Sequence, residues 1–353
     1  MGAPIARSTC HRDNKKTFHQ KLLTAKQIPS FYREPYILSG YRPLFSDLSV
    51  CFRSLFQRTN ETLNVWTHLI PCLYFAFNYV QFFLKNDISD PYVRGIIITA
   101  IGSCGFLGFS SVAHLFCCLS ANVRHTCYYI DYAGICLYSI CGGFSFLFYA
   151  RPALEADSDW FYRHRILFLS ISVVISNVIC LLTCISRHKW LRFRYLIRTL
   201  AFTVPYFYNA LPLFYRISSC PVDACNPEAL RYYYLNWFWY AMSFVSNIAR
   251  LPERLAPGQF DIIGHSHQWL HIFLAFGNDA FIKGIMSDFT HRRNQLLLTS
   301  KVTDLSYEFT IVIVGILNLM VIIAVYNALL RKGKLHNQAE EEEYYAYTSL
   351  KKK

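Results

Sequence analysis

Six stretches of this chain contain no Asp, Glu, Lys or Arg: residues 62–84, 95–123, 166–186, 199–215, 232–249 and 309–330. A helix of about 20 apolar residues crosses the hydrocarbon of a bilayer, and runs of this kind have few other ways to be solvated. Two further runs qualify with one acid each, 125–150 with Asp131 and 262–282 with Asp279. Backbone N–H and C=O groups in lipid must be satisfied within the segment, so each run is predicted to be a helix. The fold class expected is all-α, a polytopic membrane helical bundle. Residues 62–282 form a seven-helix core, and the eighth helix is set apart by the polar stretch 283–308. The fifth run, 199–215, is short and holds Pro205 and Pro212, which makes it the least regular.

Composition agrees with lipid as the solvent. The chain is 54% hydrophobic and only 16% charged, where soluble domains carry about a quarter charged residues. Its net charge of +13 would suit nucleic acid in a soluble protein. Here the basic residues lie in the tails and between apolar runs, so anionic lipid at a cytoplasmic surface is the expected partner and nucleic acid is not.

Orientation follows from the flanking Lys and Arg. They crowd the segment from Arg7 to Arg58 and the loop holding Arg187, Lys189, Arg192, Arg194 and Arg198. With eight spans these share a side with Arg331, Lys332 and Lys334, so both termini are expected in the cytoplasm. Arg151, Arg163 and Arg165 oppose this, but Glu155, Asp157 and Asp159 accompany them. Four parts result: a cytoplasmic N-terminal segment 1–60, the membrane core 62–282, a connecting loop with the eighth helix 283–330, and a cytoplasmic tail 331–353. The first 60 residues hold no long apolar run, so no cleavable signal peptide is expected. Within them Phe45, Leu48, Phe52, Leu55 and Phe56 recur at helical spacing. This predicts either an amphipathic helix on the inner leaflet or a short helix packed on the bundle. The sequon Asn60-Glu61-Thr62 falls on the cytoplasmic side and is expected to be unused.

Thirteen scattered cysteines do not make a disulfide framework. Cys220 and Cys225 share a polar loop and could pair if it faces outward. Cys117, Cys118 and Cys127 flank an inner-face loop where acylation is conceivable, although small buried hydrophobes are the plainer reading.

Ionisable groups inside spans are costly and are candidates for function. His114 ends the second run, Asp131 begins the third, and His267 and His271 begin the seventh. In the chosen orientation all four fall at one depth, near the inner leaflet. His267 and His271 are four apart and share a helix face. With His114 they make a three-histidine set with an open fourth position, the catalytic type of zinc site. Asp131 would hold the water or a ligand histidine, and Ser110, one turn before His114, could bond the water or an oxyanion. The plainer alternatives are interhelix contacts, expected for His68 and His265, and an Asp131–Arg124 or Asp131–His pair. Asp279 is expected to make no more than a polar contact.

Glu61-Thr-Leu-Asn64-Val-Trp66-Thr-His68 resembles the start of the first span in the progestin and adiponectin receptor family. Ser110-x-x-x-His114, Asp131-Tyr-Ala-Gly134 and Ser266-His267-Gln268-x-x-His271 resemble that family's metal constellation, in the same order. Ser39-Gly-Tyr-Arg-Pro43 and Leu251-Pro-Glu-Arg-Leu-Ala-Pro257 are similar to the membrane progestin receptor branch, nearest its gamma type, as is the eighth span. The resemblance covers roughly residues 30 to 330. It implies Zn2+ on His114, His267 and His271, with Ser110 and Asp131 as the associated serine and acid. It also implies a cytoplasmic N-terminus at the plasma membrane and rapid signalling by a progesterone-like steroid, with an inhibitory heterotrimeric G protein as partner. The related branches imply the alternative, a zinc-dependent ceramidase-type amidase with a sphingolipid substrate. There Ser110 would steady the oxyanion and Asp131 would carry the proton. A third option is a structural zinc that staples two spans.

Overall fold

The structure, a computed structural model, describes residues 21–44, 46–152, 159–189, 194–219, 225–300 and 305–335. These residues form helices and no strand. A short α1 (Leu48–Ser54) precedes α2 (Thr62–Lys85), α3 (Pro91–Phe116) and α4 (Ala121–Ser145), which runs on through a π turn at Phe146–Ala150. Then come α5 (Trp160–Arg163), α6 (Arg165–Ile185), α7 (Arg194–Asn209), α8 (Leu211–Ser219), α9 (Pro227–Ala249), α10 (Ser266–His291), α11 (Arg293–Ser300) and α12 (Ser306–Arg331).

Each predicted run is largely helical, although the end of 95–123 crosses the turn between α3 and α4 and residues 262–265 precede α10. Among the described residues four helices are long and apolar enough to cross a membrane: α3, α4 with its π turn, α6 and α12. The other helices of that length, α2, α9 and α10, carry polar residues turned into the bundle, such as His271 and Asn278 on α10. The fifth run is not one helix. It divides at Ala210 into α7 and α8, and Pro212 sits at the second position of α8, where its missing N–H would be unpaired anyway.

Helix ends follow local chemistry. Asp90 accepts the Tyr92 N–H with Pro91 at the first position of α3, and Ser120 accepts the Val123 N–H at the start of α4. α3 and α4 approach closely because Gly102 has no side chain. A Cβ there would lie 2.5 Å from the Cys141 Cβ. α4 is the centre of the bundle, with 83% of its most apolar window buried against 22% for α12. The outer faces are apolar. On α2, Ile70, Leu73, Phe77 and Leu84 are exposed at helical spacing, while Val65, His68, Phe75 and Tyr79 face inward. Exposed apolar surface this extensive matches lipid and not water.

α1 packs on the bundle through one face and leaves the other exposed. Cys51 is buried with its Sγ 3.6 Å from that of Cys118, while Leu48, Phe52 and Phe56 are exposed. Phe45 lies outside the described residues. Cys117, Cys118 and Cys127 are all buried, which agrees with packing and leaves no thiol open to acylation. Asn60 is buried as well. Cys225 is disulfide-bonded, and Cys220 lies outside the described residues.

The segment before α1 folds over this end of the bundle. Ile28, Tyr32, Ile37, Tyr41 and Leu44 make a small core. Asp261, between α9 and α10, pins it by accepting from the Leu38 N–H (2.9 Å) and the Ser39 hydroxyl (2.7 Å).

Candidate metal centre

His114 on the last turn of α3 meets His267 and His271 on the first turns of α10. One ring nitrogen from each lies within 4.8 Å of the other two. The ring centroids are 5.0, 5.0 and 4.5 Å apart. The Nε2 atoms of His114 and His267 are 3.2 Å apart. Two nitrogens about 2.0–2.1 Å from a tetrahedral zinc are separated by about 3.3 Å, so this spacing fits shared coordination.

The rings are aimed from behind. Nδ1 of His114 bonds the Glu61 carboxylate at 2.7 Å. Nδ1 of His271 bonds the Asn64 carbonyl at 3.1 Å, and the Thr67 hydroxyl is 3.2 Å away. An Nδ1–H committed to a carboxylate or carbonyl leaves the Nε2 lone pair free, which is the arrangement of metal-ligating histidines. Burial alone pushes the Glu61 carboxyl up. The facing His114 and Arg42 outweigh it, with help from the Asn64 amide, and hold the group well below the ordinary carboxylate range. The residues present therefore fit a divalent metal.

Two loop residues fix the helix ends that carry these rings. Arg42 is buried and donates to the carbonyls of His114 (2.6 Å) and Leu115 (2.7 Å), satisfying the C-terminal end of α3. Glu253 accepts the Ser266 N–H at 2.8 Å and the Ser266 hydroxyl, capping α10 one residue before His267.

The histidines line a cavity of about 260 Å³ together with Ser110 and Asp131. All five expected residues thus share one cavity. Arg124 pairs with Glu34 at 3.9 Å and stands over the ring of Tyr32, so it is not the partner of Asp131. His68 stacks on His271 at 3.7 Å with neither ring nitrogen hydrogen-bonded, so its interhelix contact is made by its face. His265 bonds the Asn60 carbonyl and the Gln268 amide. Asp279 is ion-paired with Lys283 on the outer face of α10.

Sequence reasoning gave no role to Glu61, Asn64, Arg42 or Glu253. A signal existed for the first two. Glu61, Asn64 and His68 are spaced i, i+3, i+7, on one face of the first span.

Residues 56–282 match the haemolysin-III-related family. The chain belongs to that family. Among curated haemolysin-III relatives it is 35% identical to membrane progestin receptor gamma of Homo sapiens, over 91% of this chain and 96% of that protein. It is 34% identical to membrane progestin receptor delta of Mus musculus, over 88% and 91%. It is 28% identical to membrane progestin receptor beta of Sus scrofa, over 76% and 77%. The apolar helices and this haemolysin-III membership make it a multi-pass membrane protein.

Proposed function

We propose that this chain is a membrane steroid receptor of the progestin class, with zinc held by His114, His267 and His271. The observation that carries this is a second cavity of about 540 Å³ between α4, α7, α9 and α10. Phe202, Tyr206, Trp237 and Tyr240 line it, and its few polar groups include the Tyr138–Tyr240 hydroxyl pair at 2.6 Å. A steroid is rigid, apolar and sparsely polar, and ligand pockets of about 300–1,000 Å³ with few polar anchors suit such molecules. The relatives' names point to the same ligand class and favour it over the amidase.

The two cavities share Phe106, Ile135, Phe202 and Leu270, so a ligand in the apolar chamber touches the walls of the histidine site. Zinc bound there would supply a Lewis acid and tie α3 to α10. Ser110 and Asp131 hold a proton and a polar contact beside it. Steroid occupancy biases the packing of α7, α9 and α10, and the basic cytoplasmic loops pass that bias to a heterotrimeric G protein. The proposed arrangement is seven helices within 62–282, an eighth in 283–330, cytoplasmic segments 1–60 and 331–353, and residence in the plasma membrane. Two observations support a cytoplasmic N-terminus: the Lys and Arg flanks, and the disulfide at Cys225, which this topology puts in an oxidising compartment.

The test is progesterone binding by purified chain in nanodiscs. Saturable binding that falls at least tenfold in Trp237→Ala, with ceramide left intact, is expected. Saturable binding unaffected by that substitution, or ceramide turnover lost in His271→Ala, would contradict the reading.

A further inference from the structure

The cavity that holds the histidines is lined by more than metal ligands. Arg124, Arg187, Arg198 and Arg250 also face it, with Glu34, Glu61, Glu253 and Asp131. Three of those acids are occupied: Glu34 with Arg124, Glu61 with His114, and Glu253 with the α10 cap. Arg187 and Arg198 are different. Among the described residues neither is in an ion pair. Asp131 lines the same cavity but forms no ion pair with either of them.

Neutral aromatic residues hold them instead. Arg187 stands 4.0 Å over the ring of Tyr128, donates to the Tyr132 hydroxyl at 3.2 Å and donates from Nε to the His125 Nδ1 at 3.3 Å. Arg198 stands 5.3 Å from the ring centroid of the same Tyr132, and its Nε is buried without a partner. Two like charges thus share one tyrosine in a half-buried site. Confinement there is unfavourable unless an anion completes it.

Position says what kind of anion. On α7, Arg198 is one turn before Phe202, which lines both the histidine cavity and the apolar chamber. Tyr206, one turn further, lines the apolar chamber. One helix face therefore passes from guanidinium to aromatic wall. A carboxylate can be satisfied by one guanidinium fork, whereas a phosphate or sulfate monoester has three terminal oxygens and can engage two.

We propose that Arg187 and Arg198 form a head-group site for an amphiphile bearing a phosphate or sulfate monoester, whose apolar body fills the chamber along α7. The proposal rests on the apolar chamber being the ligand chamber, as in the reading above, and makes the preferred ligand an anionic conjugate.

The test compares dodecyl phosphate with dodecanol, and a steroid sulfate with its parent alcohol, on the full chain in neutral-lipid nanodiscs with empty discs subtracted. The phosphate is expected to bind about tenfold or more tightly than the alcohol. Arg198→Gln should abolish that preference without weakening dodecanol, and Arg198→Lys, which keeps the charge but not the fork, should reduce it. Equal binding of the alkyl pair, a preference that survives Arg187→Gln/Arg198→Gln, or inorganic phosphate binding as tightly as dodecyl phosphate overturns the proposal. A phosphate preference without binding of either steroid sinks the steroid reading and leaves the head-group site standing.

Discussion

The two ends of the bundle both bury charge, and they treat it in opposite ways. At the end distant from the histidines, Asp288 of α10 is fully buried. It accepts from Arg216 (2.6 Å), Tyr233 (2.9 Å) and Asn226 (3.0 Å) and lies 3.8 Å from Arg292. Arg292 continues to the carbonyls of Tyr149 (3.0 Å) and Arg151 (2.7 Å), so the cluster ties α8, α9 and α10 to the π turn after α4. At the histidine end, Asp131, Arg187 and Arg198 line a cavity and form no ion pair among the described residues. A closed network of satisfied charges fixes helix positions. Charges left without a countercharge beside a cavity cost stability, a cost that a bound ligand of opposite charge can offset.

Substitutions that break this contrast should differ in size. Asp288→Ala leaves two buried guanidiniums without their carboxylate and is expected to cost about 3–5 kcal/mol. Loss of monodisperse protein, or a large drop in thermal unfolding temperature, checks it. A mild effect would remove the distinction between the ends. Next comes Glu61→Gln. It keeps the shape behind His114 but weakens the partner of its Nδ1–H, and zinc affinity measured by chelator competition should fall about 10–100-fold with the fold intact. Asp131→Asn should leave stability within about 1 kcal/mol of the natural chain or raise it, because no ion pair is lost. A melting curve on purified protein reads this directly, and a loss comparable to Asp288→Ala would mean that Asp131 is a structural ion. Asp279→Asn breaks only an exposed pair with Lys283 and is expected to change stability by less than about 0.5 kcal/mol.

The same contrast explains what could be read from sequence. Charge-free runs locate helices whose walls are lipid or apolar core, so every helix that bears the site was legible. The run 262–282 stopped at Lys283, yet α10 continues to His291, because Asp288 and Arg292 are satisfied by distant residues that no local rule can see. Arg216 likewise closed the run 199–215 although it is buried inside α8. The histidine set was legible because i, i+4 spacing and common depth are local properties. Arg42, Glu61 and Glu253 escaped because their roles arise only when loops fold back onto helix ends. The contacts of Arg187 and Arg198 with Tyr132 are also tertiary, so a loop that read only as basic conceals a pair of oriented guanidiniums.

The central claim is that the imidazoles of His114, His267 and His271 bind one metal ion together. X-ray absorption at the zinc edge on purified chain tests it directly. The account predicts about one zinc per chain, nitrogen or oxygen neighbours at about 2.0–2.2 Å with no sulfur, and loss of the metal in His271→Ala. Absence of bound zinc after zinc loading, or sulfur at about 2.3 Å, would contradict it.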